Sequence, residues 1–218
     1  MKKIIALLFI AILLFGFTYD AKALSIASTF DSDLEGWYSN NDPGSTSHVY
    51  EGSNGVMRVE DLKGDSLHII APSKFLGDWT NYEKLSMDMK ATSWGDDSLY
   101  TGSVMFEMTD GVNKAQYLFY NTQTIGDQWM NYSLVLDKNY NAGNWHINGD
   151  WDILKSNVTS FSIAVDLVIN GGVLRDINYV DNIQLIQSPT PAPEPSSVIF
   201  GLASLAGILG LRKKENIS

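Results

Sequence analysis

Aromatic residues beside amides and carboxylates are the side chains in this sequence best suited to bind a ligand. They lie in two stretches, Trp79-Thr-Asn-Tyr82 and Asn144-Trp-His-Ile-Asn-Gly-Asp-Trp151, both near residues typical of loops. Trp and Tyr rings can stack on the apolar faces of pyranoses while neighbouring polar groups bind the hydroxyls. We therefore predict that Trp79, Tyr82, Trp145 and Trp151 contact a glycan. The alternative for each ring is that it caps the edge of the core.

Two other tryptophans are predicted to be structural. Trp37 follows the segment Phe30-Asp-Ser-Asp-Leu-Glu-Gly36, and Trp129 opens a predicted strand. We expect both rings in the core. Truncating Trp129 to alanine should then cost about 3–5 kcal/mol of stability, whereas the loop rings should be dispensable for folding.

Catalytic chemistry has little support in the sequence. The three histidines, His48, His68 and His146, show no metal-binding spacing, and no nucleophile elbow or phosphate-binding loop is present. A glycosidase needs two carboxyl groups at a set distance, for example Glu60 with Glu107, but nothing in the sequence selects that pair among the acidic residues. We predict no catalytic residues and no enzymatic activity.

Hydrophobic residues in the central region alternate with polar ones at a period of two, which is typical of half-buried strands. Turn-forming pairs such as Asp110-Gly111 separate these runs, and no helix is evident beyond a single turn at 151–156. We predict an all-β fold, an antiparallel β-sandwich of the jelly-roll type. The predicted buried faces are Leu85, Met87, Met89 and Ala91; Val104, Phe106 and Met108; and Phe161, Ile163, Val165 and Leu167.

Aspartates near the two ends of this sandwich are candidate calcium ligands. In jelly rolls of this type the first and last strands often lie side by side and share a structural Ca²⁺. Here Asp31 and Asp33 would come from the first strand and Asp181 from the last. Calcium prefers several hard oxygen ligands, which Asp-rich turns can supply. The alternative is that Asp181 only hydrogen-bonds to a turn. No other cofactor is predicted.

Charge and cysteine content narrow the range of partners. Residues 24–187 carry 9 Lys and Arg against 22 Asp and Glu, a formal charge of −13, compared with −10 for the whole chain. Such a surface repels nucleic acid and anionic lipid, so we exclude a role in nucleic-acid binding. The chain has no cysteine, so disulfides, thiol chemistry and Cys-ligated zinc are excluded as well. The length of this region suits one domain.

The N-terminal residues predict export. Lys2-Lys3 precede an apolar run from Ile4 to Phe17, and Ala21-Lys22-Ala23 places small residues at the two positions that a signal peptidase inspects. This pattern predicts a signal peptide over residues 1–23, cleaved after Ala23. The alternative is an uncleaved N-terminal anchor.

The C-terminal residues form a tripartite tail. A Pro-rich linker (188–195) precedes an uncharged apolar run of 16 residues (196–211), which is followed by Arg212-Lys213-Lys214. The run is shorter than the ~20 residues that a spanning helix needs, although local thinning of the bilayer can absorb the difference. Basic residues after such a run favour a cytoplasmic end. The tail therefore predicts contact with a membrane.

This tail closely resembles the PEP-CTERM sorting signal of Gram-negative bacteria that make exopolysaccharide. The sorting motif is carried by Pro193, Glu194 and Pro195 before the apolar helix and by Arg212, Lys213 and Lys214 after it. The resemblance implies that an exosortase is the processing partner and that residues 196–218 form a sorting helix with a basic tail. The alternative is an ordinary C-terminal anchor. The precursor would be anchored in the inner membrane, and the mature form would lie at the cell surface or outside the cell.

A second resemblance covers roughly Leu67 to Leu185. The segment Ala71-Pro-Ser-Lys-Phe-Leu-Gly-Asp-Trp-Thr-Asn-Tyr82, running into Leu85-Ser-Met-Asp-Met89, and the closing Tyr179-Val-Asp-Asn-Ile183 resemble the laminin B (laminin IV) domain. The resemblance implies a secreted β-sandwich over residues 24–187 without catalytic activity. It also implies a shape related to galactose-binding and carbohydrate-binding domains.

Together these observations predict a non-catalytic exported binding module of the cell surface or of an exopolysaccharide or biofilm matrix. Its expected partners are an exosortase during processing and a polysaccharide afterwards. The alternative is a purely structural, self-associating matrix protein without a sugar site.

Overall fold

Antiparallel strands make up almost all of the secondary structure that the computed structural model describes. The described residues are 25–40, 44–60, 67–93, 104–119, 128–165 and 176–188, and they belong to one compact unit, Leu24–Ser188. The strands form two sheets whose inner faces share one hydrophobic core. The predicted antiparallel β-sandwich is therefore confirmed.

Within the described ranges, each of the two sheets contains six strands. Sheet A has the order β3-β4-β12-β6-β9, with β1 also paired to β12, and sheet B has the order β10-β8-β7-β11-β5-β2. The elements in chain order are β1 (Ser25–Ser28), β2 (Tyr38–Ser39), β3 (Thr46–Glu51), β4 (Asn54–Glu60), β5 (His68–Ile70), β6 (Tyr82–Ser93), β7 (Met105–Thr109), β8 (Lys114–Leu118), β9 (Met130–Val135), β10 (Trp145–Asn148), α1 (Trp151–Ser156), β11 (Ser160–Ala164) and β12 (Asp176–Gln187).

The last strand, β12, organises sheet A. One of its edges pairs with β6 from Asp176 to Gln187, with a shift of register after Asp181. Its other edge pairs with β4 over 177–180 and then with β1 over 183–186. The two halves meet at Asn182, which has a left-handed backbone with φ of 49°. The first and last described strands therefore lie side by side, as predicted.

The core is built from the strand faces that the period of two predicts. All of the predicted inward residues on β6, β7 and β11 are buried, except Leu167, which lies outside the described residues. Phe161 on β11 is at the centre of an aromatic cluster. The rings of Trp37, Trp79 and Phe106 meet it edge-on, with centroid separations of 6.0, 5.3 and 6.2 Å. Such edge-to-face pairs add to the stabilisation from burial alone.

A short α-helix, α1, closes the end of the sandwich, where the sequence predicts a single turn. The Asp150 side chain caps it by accepting hydrogen bonds from the backbone N–H groups of Asp152 and Ile153, at 2.9 and 3.0 Å. The helix carries Lys155 into the interior, where burial lowers the pKa of its amine. That amine donates to the carbonyl oxygens of Tyr82 and Leu136, at 3.1 and 3.3 Å. The helix thereby joins one end of β6 to the end of β9.

The predicted end segments lie outside the described residues. These are the signal peptide (1–23), the linker beyond residue 188 with the Pro193-Glu194-Pro195 motif, and the sorting helix with its basic tail (196–218). Across the described ranges, none of the helices combines the length and the apolar character that a membrane crossing requires.

Candidate functional site: the outer face of sheet B

The four aromatic residues predicted to bind a glycan do not lie on exposed loops. Trp79 is only 1% exposed, and Tyr82, Trp145 and Trp151 are each at least nine-tenths buried. Trp79 donates its indole N–H to the carbonyl of Phe75 at 2.9 Å. The structure corrects the predicted placement, because each of these residues turns its ring into the core and leaves almost none of it for a ligand.

The Trp145 and Trp151 rings are buried against each other. Their centroids are 4.9 Å apart in an edge-on arrangement, and Tyr117 on β8 meets Trp145 at the same separation. Trp145 begins β10, and Trp151 begins α1. The residues between the two tryptophans form a strand and a turn whose ends are fixed by these rings. This stretch therefore stabilises the edge of sheet B.

The two tryptophans predicted to be structural differ in placement. Trp37 is buried as predicted and donates to the Ser28 hydroxyl at 2.9 Å. Trp129 is 39% exposed, so the prediction that it lies in the core is wrong. It immediately precedes the edge strand β9, on the outward side of sheet A, where its ring contacts the Lys90 ammonium at 5.5 Å from the centroid.

The structure brings together only part of the predicted calcium-ligand set. Asp181 is buried, and its oxygens accept hydrogen bonds from the Asn182 backbone at 2.7 Å and the Asn54 side chain at 2.8 Å. Burial raises the pKa of Asp181, and the nearby charge of Asp31 adds to the rise. Asp33 instead accepts from the Glu35 backbone at 2.6 Å.

In the described part of the chain, no group of three or more His, Cys, Asp or Glu residues could hold a metal ion. The carboxylate oxygens of Asp181 already have protein partners, and Asp33 is engaged in its own turn. The present side-chain arrangement therefore does not fit the calcium ligand set as predicted, and the ion stays a prediction.

The outer face of sheet B carries a continuous row of side chains that crosses all six strands. Strand pairing places His146, Gln116, Glu107 and Ser162 opposite one another on β10, β8, β7 and β11. The same register continues to Ile70 on β5 and Tyr38 on β2. Six strands have five spacings of ~4.8 Å, so this row is about 24 Å long. We call these six residues the polar row.

Glu107 is the charged centre of the polar row. Its Oε2 atom accepts from the Gln116 amide at 2.6 Å and from the Lys114 ammonium at 2.8 Å. Burial alone would raise the pKa of Glu107, but hydrogen bonds from Lys114 and Gln116 and the charges of Lys114 and His68 outweigh it and lower the pKa. Glu107 is therefore ionised at neutral pH and held in one orientation.

Three uncharged or aromatic residues, His68, Ile70 and Tyr38, lie on the β5 and β2 side of this charged centre. His68 at the start of β5 is half-buried, and burial is the main cause that lowers its pKa, with a smaller opposing influence from Glu107. Tyr38 at the far end of the polar row is 54% exposed. Ile70 lies between Tyr38 and Ser162 in the register. The face thus combines a fixed carboxylate, an amide and the exposed ring of Tyr38 with its hydroxyl group, whereas Ser162 is buried.

The sequence alone indicates part of the outer face of sheet B. Because Phe106 and Met108 are predicted to point inward, Glu107 must point outward. The Asp110-Gly111 turn then places Glu107 opposite Gln116, as the hairpin of β7 and β8 shows. The neighbouring strands β11, β5 and β2 are distant in sequence, so no local pattern indicates that Ser162, Ile70 and Tyr38 continue the row.

Comparison with known proteins supports the fold. No protein-family profile matches the chain, and no curated protein matches it in sequence. The L4b domain of human laminin alpha-2 aligns at a TM-score of 0.50 and 11% identity, over 77% of this chain and 99% of the domain.

Two carbohydrate-binding modules align less well. A family 29 module solved with mannohexaose has a TM-score of 0.45 and 15% identity, over 76% of this chain and 92% of the module. A family 11 module from a cellulosomal cellulase of Clostridium thermocellum has a TM-score of 0.41 and 17% identity, over 80% and 91%. The laminin likeness shows that this chain has a laminin-like β-sandwich fold, and at this identity it concerns the fold alone.

Proposed function

We propose that the protein is a non-catalytic glycan-binding module, a jelly-roll sandwich that holds a polysaccharide against the outer face of sheet B. The observation that supports this proposal is the polar row, with ionised Glu107 fixed at its centre by Gln116 and Lys114. A sugar chain laid across the strands would meet the imidazole of His146, the amide of Gln116 and the carboxylate of Glu107, whereas Ser162 beyond them is only 6% exposed.

The chemistry of the polar row suits sugar hydroxyls. A carboxylate has about four acceptor positions, and Gln116 and Lys114 use two of those on Glu107. The remaining positions can accept from two hydroxyl groups of a pyranose. Hydrogen bonds to a charged group are about twice as strong as neutral ones. At the other end, Ile70 and Tyr38 offer apolar surface for the faces of the sugar rings.

The positions of the carboxylates favour binding rather than catalysis. A glycosidase needs two carboxyl groups about 5–10 Å apart on either side of the scissile bond. Glu60, the partner considered for Glu107, lies on β4 in sheet A and forms an ion pair with Arg58 at 2.8 Å. Glu60 and Glu107 therefore belong to different sheets. This arrangement supports the proposal that the module is not an enzyme.

The proposed location is the cell surface or the extracellular matrix, reached by export and exosortase sorting. This part of the proposal is supported by the sequence of the two ends. Intact-mass analysis of the native protein tests it. We expect a mature species that lacks residues 1–23 and the apolar run after Pro195. A native species that retains Val198 to Leu211 would contradict tail removal.

Affinity electrophoresis of the full chain in gels containing neutral polysaccharides tests the binding proposal. We expect at least one polysaccharide to retard the protein. Glu107→Gln should weaken that retardation about ten-fold, equivalent to ~1.4 kcal/mol, because a charged acceptor becomes neutral. Glu83→Gln is the matched control, since Glu83 is an exposed residue of sheet A.

Two outcomes would contradict this proposal. Equal retardation of the parent and Glu107→Gln would exclude the polar row as the site. Absence of retardation by every polysaccharide, together with concentration-dependent self-association, would favour the alternative of a structural matrix protein.

A further inference from the structure

Trp129 is the exception among the tryptophans that the structure describes. Trp37, Trp79, Trp145 and Trp151 are buried, whereas Trp129 is 39% exposed on the outward side of sheet A. Indole has the largest apolar surface of any side chain, so core packing alone would favour its burial. An exposed indole that is also fixed in position needs a separate explanation.

The Trp129 ring is held by a row of contacts across sheet A. The Lys90 ammonium lies 5.5 Å from the centroid of Trp129 and 4.6 Å from that of Tyr179. Both distances are within the range of cation–π attraction. Lys90 also forms an ion pair with Glu51 at the tip of the β3–β4 hairpin. The ammonium therefore contacts one face of the indole and restrains it.

Polar groups lie next to this ring on the same outer face. Asn131 on β9 pairs with Asp88 on β6, and its amide donates to the Asp88 carboxylate at 2.8 Å. The Asn182 amide donates to the other oxygen of Asp88 at 2.9 Å. The pair lies one step along the strands from Lys90, because outward residues recur every second position. We call Trp129, Lys90, Tyr179, Asn131 and Asp88 the Trp129 platform.

We propose that the Trp129 platform is a second carbohydrate-binding site, which takes a neutral polysaccharide chain by stacking a pyranose on the indole. The amide of Asn131 and the carboxylate of Asp88 supply polar contacts for its hydroxyls. Restraint of the ring by Lys90 lowers the entropy cost of ordering it on binding. The net charge of −13 over residues 24–187 repels anionic chains and leaves neutral ones as the matching class.

The platform and the polar row lie on the outer faces of the two sheets, on opposite sides of the sandwich. One domain could therefore hold two sugar chains at once and link them. This bridging step rests on the proposed function of sheet B, whereas stacking on Trp129 does not. A bivalent module gains avidity for a surface that presents many chains.

Counting the sites on the full chain tests this inference. The probe is a neutral oligosaccharide long enough to cross the polar row, titrated by calorimetry against the parent, Trp129→Ala and Glu107→Gln. We expect two sites in the parent and one in each variant. Trp129→Phe keeps a stacking ring and should restore the second site with several-fold weaker affinity. Far-UV circular dichroism of all variants verifies that each is folded.

The outcomes separate the two sites. If Trp129→Ala keeps two sites, or the parent has one site that Trp129→Ala leaves unchanged, the platform is not a sugar site. If Glu107→Gln changes nothing and Trp129→Ala removes a site, the platform stands and the polar row fails. If the parent does not bind the oligosaccharide, both proposals are overturned.

Bridging has its own measurement, agglutination of beads coated with the polysaccharide that the parent binds. We expect the monomeric parent to agglutinate the beads and both Trp129→Ala and Glu107→Gln to bind them without agglutination. Agglutination by monomeric Trp129→Ala at the parent's level would contradict the two-site arrangement.

Discussion

The Trp79 ring meets the Phe161 ring edge-on between the two sheets, with centroids 5.3 Å apart. This contact joins the segment before β6 in sheet A to β11 at the centre of sheet B. It explains why a tryptophan set among loop-forming residues belongs to the core. Its indole N–H is satisfied by the Phe75 carbonyl, so burial leaves no polar atom without a partner.

The stability effects of Trp79 and Trp129 should be the reverse of the sequence-based expectation. We expect Trp79→Ala to lower the free energy of unfolding by about 3–5 kcal/mol, because a large ring leaves a cavity in the core. Trp129→Ala should change it by no more than about 1 kcal/mol, since only partial burial and one cation–π contact are lost. Urea unfolding followed by circular dichroism measures both. Equal destabilisation by the two changes would disagree with the structure.

Glu35 should make the protein sensitive to acid. Its carboxylate accepts from the backbone N–H groups of Thr29 and Phe30, at 2.9 and 2.8 Å, and pairs with Lys74. Burial raises the pKa of Glu35, but the Lys74 and backbone hydrogen bonds outweigh it and lower the pKa below 4.5. The stabilisation is therefore complete above pH 4.5 and is lost as the pH falls through the folded-state pKa.

Glu35→Gln tests this linkage through the melting temperature between pH 6 and pH 3. We expect the variant to lose less stability than the parent on acidification, because its amide does not titrate. Glu83→Gln is the control and should follow the parent curve. A variant curve parallel to that of the parent would show that Glu35 does not carry this dependence.

Asp181→Asn should remove an electrostatic cost. Burial raises the pKa of Asp181, and the charges of Asp88 and Asp31 add to the rise. A raised folded-state pKa means that, at pH values above that pKa, the ionised carboxylate destabilises the protein. Stability recovers as the pH falls through the folded-state pKa. In EDTA at pH 7, we expect Asp181→Asn to melt at or above the temperature of the parent. A clear decrease would show that the carboxylate charge is stabilising.

The same variant tests the calcium ion predicted from Asp31, Asp33 and Asp181. A bound ion would raise the melting temperature of the parent in calcium relative to EDTA, because a ligand that binds the folded state stabilises it. Asp181→Asn would lose that increase. If EDTA and calcium give the same melting temperature for the parent, the predicted site does not exist.

Gly55 on β4 has no room for a side chain. A Cβ atom added there would lie 2.9 Å from the carbonyl oxygen of Asp31 and closer still to that of Phe30. Backbone oxygens cannot rotate away, so the segment that follows β1 must shift. We expect Gly55→Ala to cost about 1–3 kcal/mol of stability. Gly143→Ala, where nothing lies within 4 Å, is the matched control and should be nearly neutral in the same urea titration.

The sequence predicts the strands well because alternation is a local property. Phe106 and Met108 alternate with Glu107 wherever β7 lies in the sandwich, so their burial follows from the period of two. The same alternation of inward and outward residues determines the direction of Trp129. Tyr132 and Leu134 on β9 point inward, and Trp129 is an odd number of residues from both. The sequence therefore indicates that Trp129 points outward. The hydrophobic character of indole favoured the prediction that it lies in the core.

The candidate sites could be predicted only in fragments. Glu107 and Gln116 belong to one hairpin, so their contact is local. Ser162 and Tyr38 join them through pairings between distant segments, which no short pattern specifies. The same holds for Lys90, whose contacts with Tyr179 and Glu51 come from strands far along the chain. Binding faces on sheets are assembled by strand order, which depends on the whole fold.

The central position of β12 has a consequence for the timing of folding. The strand that joins β6 to β4 and β1 is the last one described, so sheet A cannot assemble until residue 187 is available. At roughly 5–20 residues per second of synthesis, β1 waits about 8–30 s for its partner. All strands of sheet B end by Ala164, so that sheet can form first, and its inner face stays uncovered until sheet A is complete. The order of strands thus delays completion of sheet A, and with it closure of the core, until residue 187 has been made.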